Sequence, residues 1–153
     1  MWSIAGIVEA SADRVAALVL DVRPGEFALN DAPIVLVESG LPNLDSRVIV
    51  NGGPRNFTAT WEADPKGIYV IVDMAQGSVT LQGHWWYRGT YRVEAASQGS
   101  RLLLDVYNIA PGLSRWIAPF VARGVRSQQT QTFERLLSVI GKHLGCAAYS
   151  LQS

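Results

Sequence analysis

Apolar and polar residues alternate with period two through most of this chain and switch to a helical period after Pro111. At the start, Trp2, Ile4, Gly6 and Val8 fall on one side and Ser3, Ala5, Ile7 and Glu9 on the other, the mark of a half-buried strand over residues 2–10. Ser11 stands where a helix N-cap belongs, Asp13 puts a negative charge in the first turn, and Val15, Leu18 and Val19 supply helical spacing. Together they predict a helix over 12–21. Residues 26–30 read as a further helical turn, and residues 33–39 and 47–51 as strands. Residues 56–63 then set Phe57, Ala59 and Trp61 against Thr58, Thr60 and Glu62, and Asp64, Pro65, Lys66 and Gly67 form a turn before a strand over 68–74. A long strand over 84–96 turns Trp85, Tyr87, Gly89, Tyr91 and Val93 inward and His84, Trp86 and Arg88 outward. It forms a hairpin with residues 101–109, where Leu102, Leu104 and Val106 share a side. The count is about seven strands.

The segment from 111 to 145 is helical. Pro119 lacks a backbone N–H and disfavours helical geometry at Ala118, so a separate turn is expected around 113–117 and the long helix from Pro119 to Leu144. At ~1.5 Å per residue such a helix reaches about 39 Å, enough to cross the whole sheet. At ~100° per residue, Phe120, Val121, Gly124 and Val125 share one face, while Phe133, Leu136, Leu137, Ile140 and Leu144 centre roughly 120° away. Gln128 and Thr132 lie within or beside the first face. There they read either as hydrogen-bonding handles for a ligand or as a solvated patch where the helix rotates across the sheet. Gly124 lowers that wall, at about 1 kcal/mol of helix propensity relative to alanine.

Composition narrows the classes. With 48% hydrophobic and only 17% charged residues, the chain can build a core with an apolar site, and its 153 residues suit one domain, 1–153. No run approaches ~18 apolar residues and no basic-then-apolar leader opens the chain, so a soluble, cytoplasmic protein without integral membrane association is expected. Cys146 is the only cysteine, which excludes an internal disulfide. Residues 1–76 carry ten acidic and five basic residues, and residues 77–153 three acidic and eight basic. The basic residues are scattered singly, which favours pairing between the halves over a nucleic-acid surface and leaves an anionic group on a ligand or partner as the other reading. Phosphate-loop, GxGxxG, GxSxG and HExxH motifs are missing, and the two histidines, His84 and His143, are far apart in sequence. Neither a metal site nor a cofactor is expected, and no feature sets an oligomeric state.

Two stretches carry a family likeness. VEASADRVAALVLD (8–21) is a strand running into a capped helix, and YRVEAASQGSRLLLDVYNIAP (91–111) is a final hairpin before a terminal helix. In this order the chain resembles the START-like (SRPBCC) superfamily, the birch-pollen-allergen-like and polyketide cyclase/dehydrase-like group. The resemblance implies an α+β helix-grip fold: a curved antiparallel sheet around the long C-terminal helix, with two short helices after the first strand. It also implies a cavity between sheet and helix that takes a lipid, quinone, polyketide or similar apolar molecule. The family holds carriers, sensors, co-chaperones and a minority of cyclases and hydrolases.

On that frame the candidate ligand-binding residues are Phe57, Trp61, Trp85, Tyr87, Tyr91, Leu104, Val106, Phe120, Gly124, Gln128 and Thr132. Aromatic residues with one polar tip suit an apolar pocket, and they equally suit a plain core. Three functions compete. The first is binding or transport of a small apolar ligand. The second is a cyclase, dehydratase or hydrolase using Tyr87 or Tyr91 as acid with Arg135 stabilising an anion. The third is a protein-interaction module with a filled pocket, an outward Trp86 and a basic helix.

Overall fold

A computed structural model of the chain describes residues 1–41, 44–84 and 87–151, apart from the side chains at 114, 115, 118, 119 and 121–123. Trp85 and Trp86 therefore lie outside the described residues, as does the side chain of Val121. The architecture is α+β. Nine strands form one antiparallel sheet and a long helix follows the eighth.

Strand β1 (Trp2–Val8) leads into helix α1 (Ala12–Val19). Ser11 caps α1 as its residue type predicts, its hydroxyl oxygen accepting from the Arg14 N–H at 3.4 Å, and Val15 and Val19 are fully buried. Next come β2 (Gly25–Ala28), helix α2 (Ile34–Val37), β3 (Arg47–Gly52), β4 (Asn56–Trp61), β5 (Asp64–Asp73), β6 (Ser78–Gln82), β7 (Tyr87–Ala96) and β8 (Gly99–Asn108). Helix α3 (Ser114–Leu144) and β9 (Ala148–Leu151) complete the chain. The order across the sheet is β2-β3-β4-β5-β6-β7-β8-β1-β9: a meander whose last strand pairs with the first, with β9 added outside β1. The sheet is open, with β2 and β9 as its edges.

Nine strands replace the expected seven, for local reasons. The expected helical turn at 26–30 is β2, held to β3 by a register that sets Phe27 against Val48 and by an ion pair between Arg47 and Glu26 at 2.6 Å. The expected strand at 33–39 is α2. Its run IVLV satisfies either reading, and Pro33 decides it: a preset φ and a missing N–H cost nothing just ahead of a helix. The glycine-bounded segment of β6 pairs on both sides, Val79 lying opposite Tyr91 on β7 and Val72 on β5. The expected turn at 64–67 belongs to β5. Ala59 pairs with Ile68 but Trp61 with Asp64, so Pro65, Lys66 and Gly67 form a bulge, where a proline's missing N–H is tolerated.

The long helix starts at Ser114 and runs through Pro119. Pro119 is its sixth residue, so the ring forfeits a single hydrogen bond close to the helix end. At the other end Gly145 takes a left-handed φ of 64° and Lys142 and His143 stand in the last turn, which suits the negative end of the helix dipole. The helix spans roughly 46 Å at ~1.5 Å per residue. Among the described residues its main neighbours are β1, β8, β9 and α1. Among its described residues it buries the apolar side chains of Phe133, Leu136, Leu137 and Ile140, each at most 1% exposed. Leu137 lies directly over Gly6 of β1, where any Cβ would collide with it, so the glycine permits the close approach of helix to strand.

Candidate functional site

Strand registers place most of the sequence-predicted lining on one face of the sheet. Phe57 lies opposite Val70, Tyr91 opposite Leu104, Gly89 opposite Val106, and Gly6 opposite Leu102. Because Leu137 sits over Gly6, this is the face that carries α3. Phe57, Trp61, Tyr91, Leu104 and Val106 are all buried there, and Tyr87 is half-buried with its ring folded over Gly89, where a Cβ would collide with the phenol.

The helix side divides differently from expectation. Phe120 is 71% exposed, Gly124 has nothing within 4 Å of where a Cβ would be, and Gln128 is exposed. The row that begins at Phe120 faces solvent, whereas Thr132 and Gln129 are buried with Phe133 and Leu136. Thr132 is satisfied, its hydroxyl donating to the Gln129 carbonyl at 2.9 Å. Its methyl also packs on Gly40 in the loop after α2, where φ is 73°. Gln129 is the residue that the sequence reading misses. Its side-chain carbonyl oxygen is buried and has no hydrogen-bond partner, and the indole N–H of Trp61 is in the same condition. The indole N–H of Trp2 on β1 is likewise buried without a partner, and each such atom costs about 1–3 kcal/mol.

The groups named for catalysis differ in exposure. Arg135 is exposed, while Tyr91 is 1% exposed. Burial pushes the phenols of Tyr87 and Tyr91 above their ordinary value of 10.0, and for Tyr91 the neighbouring Tyr87 adds to the effect. A phenol with a raised pKa is a weaker acid. Asp105, on the opposite face, is held by the Ser3 hydroxyl and by Arg92 at 3.1 Å. Among the described residues no group of three or more His, Cys, Asp or Glu is placed to hold a metal, and Cys146 is a free thiol.

The raised phenols have a consequence at alkaline pH. The folded state holds these protons more tightly than the unfolded chain, which begins to release them near pH 10. Stability is therefore fully present below pH 10 and falls as pH rises beyond it, by up to about 1.4 kcal/mol per pH unit for each phenol. Urea unfolding between neutral pH and pH 11 should show that decline, and Tyr91→Phe should make it shallower. An unchanged slope in the variant would mean that Tyr91 ionises freely in the fold.

A separate cleft of about 260 Å³ opens between the end of α1, β2, α2 and the C-terminal part of α3. Leu18, Phe27, Ile34 and Val139 line it, with Asp21, Asp31, Glu38 and His143 among its polar groups. It contains none of the candidate ligand-binding residues.

No protein-family model, no curated protein and no solved structure significantly matches the chain.

Proposed function

We propose that the protein binds or carries a small apolar molecule, a lipid, quinone, polyketide or similar compound, between the inner face of its sheet and helix α3. The observation that carries this reading is the Gln129 carboxamide oxygen, buried without a partner on the stripe by which α3 meets the sheet. An apolar ligand bearing one hydroxyl or amide donor would satisfy it, and a ligand acceptor would satisfy the Trp61 indole N–H. The buried aromatics Phe57, Trp61 and Tyr91, with Leu104 and Val106, supply the apolar surroundings. A strand order in which β1 pairs with the strand before the long helix supports the START-like resemblance.

The test uses a fluorescent hydroxylated fatty-acid probe, together with native mass spectrometry of the protein purified from its extract. The protein is expected to retain an apolar molecule and to take up the probe. Gln129→Leu should lower probe affinity roughly tenfold, the loss of one hydrogen bond, while raising ligand-free stability by about 1–2 kcal/mol because the unpaired group is gone. Gly124→Phe is the control: it adds bulk to a face in open space and should leave uptake unchanged. Absence of any bound apolar molecule, or unchanged affinity in Gln129→Leu, would defeat the reading.

A further inference from the structure

The first turns of α3 present an apolar surface to solvent. Leu113, Trp116, Ile117 and Phe120 are 84%, 77%, 60% and 71% exposed. Their spacing, i, i+3, i+4, i+7, puts them on one side of the helix. Phe120 and the buried Leu136 lie roughly 160° apart at ~100° per residue, so this side looks away from the sheet. Packing against the sheet does not account for the exposure of these four large apolar side chains.

We propose that this end of α3 docks the protein on an anionic lipid surface, with Trp116, Ile117 and Phe120 entering the interfacial layer. Charge selects this occupant. Between Asp105 and Glu134 the chain contains no carboxylate side chain, yet it carries Arg115, Arg123 and Arg126. A helix segment with exposed Trp, Phe, Leu and Ile and only positive charge has the composition of a helix lying in the plane of an acidic membrane surface. Tryptophan suits the headgroup level, where its ring is apolar and its N–H stays wet. Self-association fits less well, because an isologous contact would bring together two copies of a segment whose sequence holds arginines and no carboxylate. Among the described residues no helix is long and apolar enough to cross a membrane, so the contact belongs to one leaflet's surface. This inference rests on the exposed patch and is independent of the ligand reading.

The experiment is co-sedimentation of the full chain with phosphatidylcholine vesicles, with and without phosphatidylglycerol, at low and high salt, alongside tryptophan emission. Binding is expected to the anionic vesicles only, to weaken with salt, and to shift the emission to the blue. Trp116→Ser/Phe120→Ser should lower vesicle affinity roughly tenfold or more through the lost apolar insertion. Both side chains are exposed, so circular dichroism should report an unchanged fold. Sedimentation velocity without lipid reads the alternative: a dimer that the double variant dissolves, without vesicle binding, would assign the patch to a second copy. That outcome would overturn the proposal, as would equal vesicle binding by the double variant.

Discussion

Leu136→Ala is expected to destabilise the protein by about 2–5 kcal/mol, while Phe120→Ser, sixteen residues earlier in the same helix, should change stability by no more than about 0.5 kcal/mol. Leu136 is fully buried, and its truncation removes apolar contact and leaves a cavity that close-packed neighbours fill only in part. Phe120 is 71% exposed, so its loss removes little that is withheld from water. Urea unfolding followed by circular dichroism measures both changes. Equal and large losses would mean that Phe120 carries as much of the packing as Leu136, contrary to its exposure. The contrast matters for function because it separates the buried Leu136 stripe from the exposed side chains of Leu113, Trp116, Ile117 and Phe120.

The two-stripe character of this helix is legible in the sequence. Phe120 and Gly124 belong to one row, and Phe133, Leu136 and Ile140 to another. Which row meets the sheet is not legible, because helical spacing gives a face without saying what lies opposite it. Extending the Phe120 row forward leads through Gly124 to Gln128 and Thr132. Extending the Leu136 row backward through Thr132 leads to Gln129, the amide that is in fact buried. Gly6 holds the deciding fact: a Cβ there would collide with Leu137, a closeness between residues 131 positions apart that no helical or strand period encodes.

The sheet divides in the same way. Long alternating strands such as β4 and β7 declare their inner residues, and the registers place Phe57, Tyr91, Leu104 and Val106 on one face. Short elements do not declare themselves. The four-residue run of α2 contains Ile34 and Val35 and reads as a strand until Pro33 is weighed as a helix start. β2 and β9, at four residues each, owe their pairing to β3 and β1 rather than to their own sequence.

Gly67→Ala should be the most damaging single-methyl addition outside the helix–sheet contact, costing about 2–4 kcal/mol. Two effects add. Gly67 has a φ of 64°, the left-handed region in which a residue with a side chain loses roughly 1 kcal/mol or more. Its Cβ would also collide with the carbonyl oxygen of Ala59, a backbone atom of the paired strand β4 that cannot swing aside as a side chain would. The bulge at Pro65, Lys66 and Gly67 lets β5 resume pairing at Asp64 opposite Trp61, and the Gly67 N–H fixes it by donating to the Asp64 carboxylate at 3.0 Å. Opening the bulge therefore disturbs Trp61, whose buried indole N–H has no hydrogen-bond partner and is assigned to the ligand in the proposed function. The variant is expected to unfold at lower urea and, while still folded, to take up the fatty-acid probe less tightly. Thermal unfolding and probe titration of Gly67→Ala check the two effects separately. A stability loss with unchanged probe affinity would place Trp61 outside the ligand's reach while leaving Gln129 as its anchor.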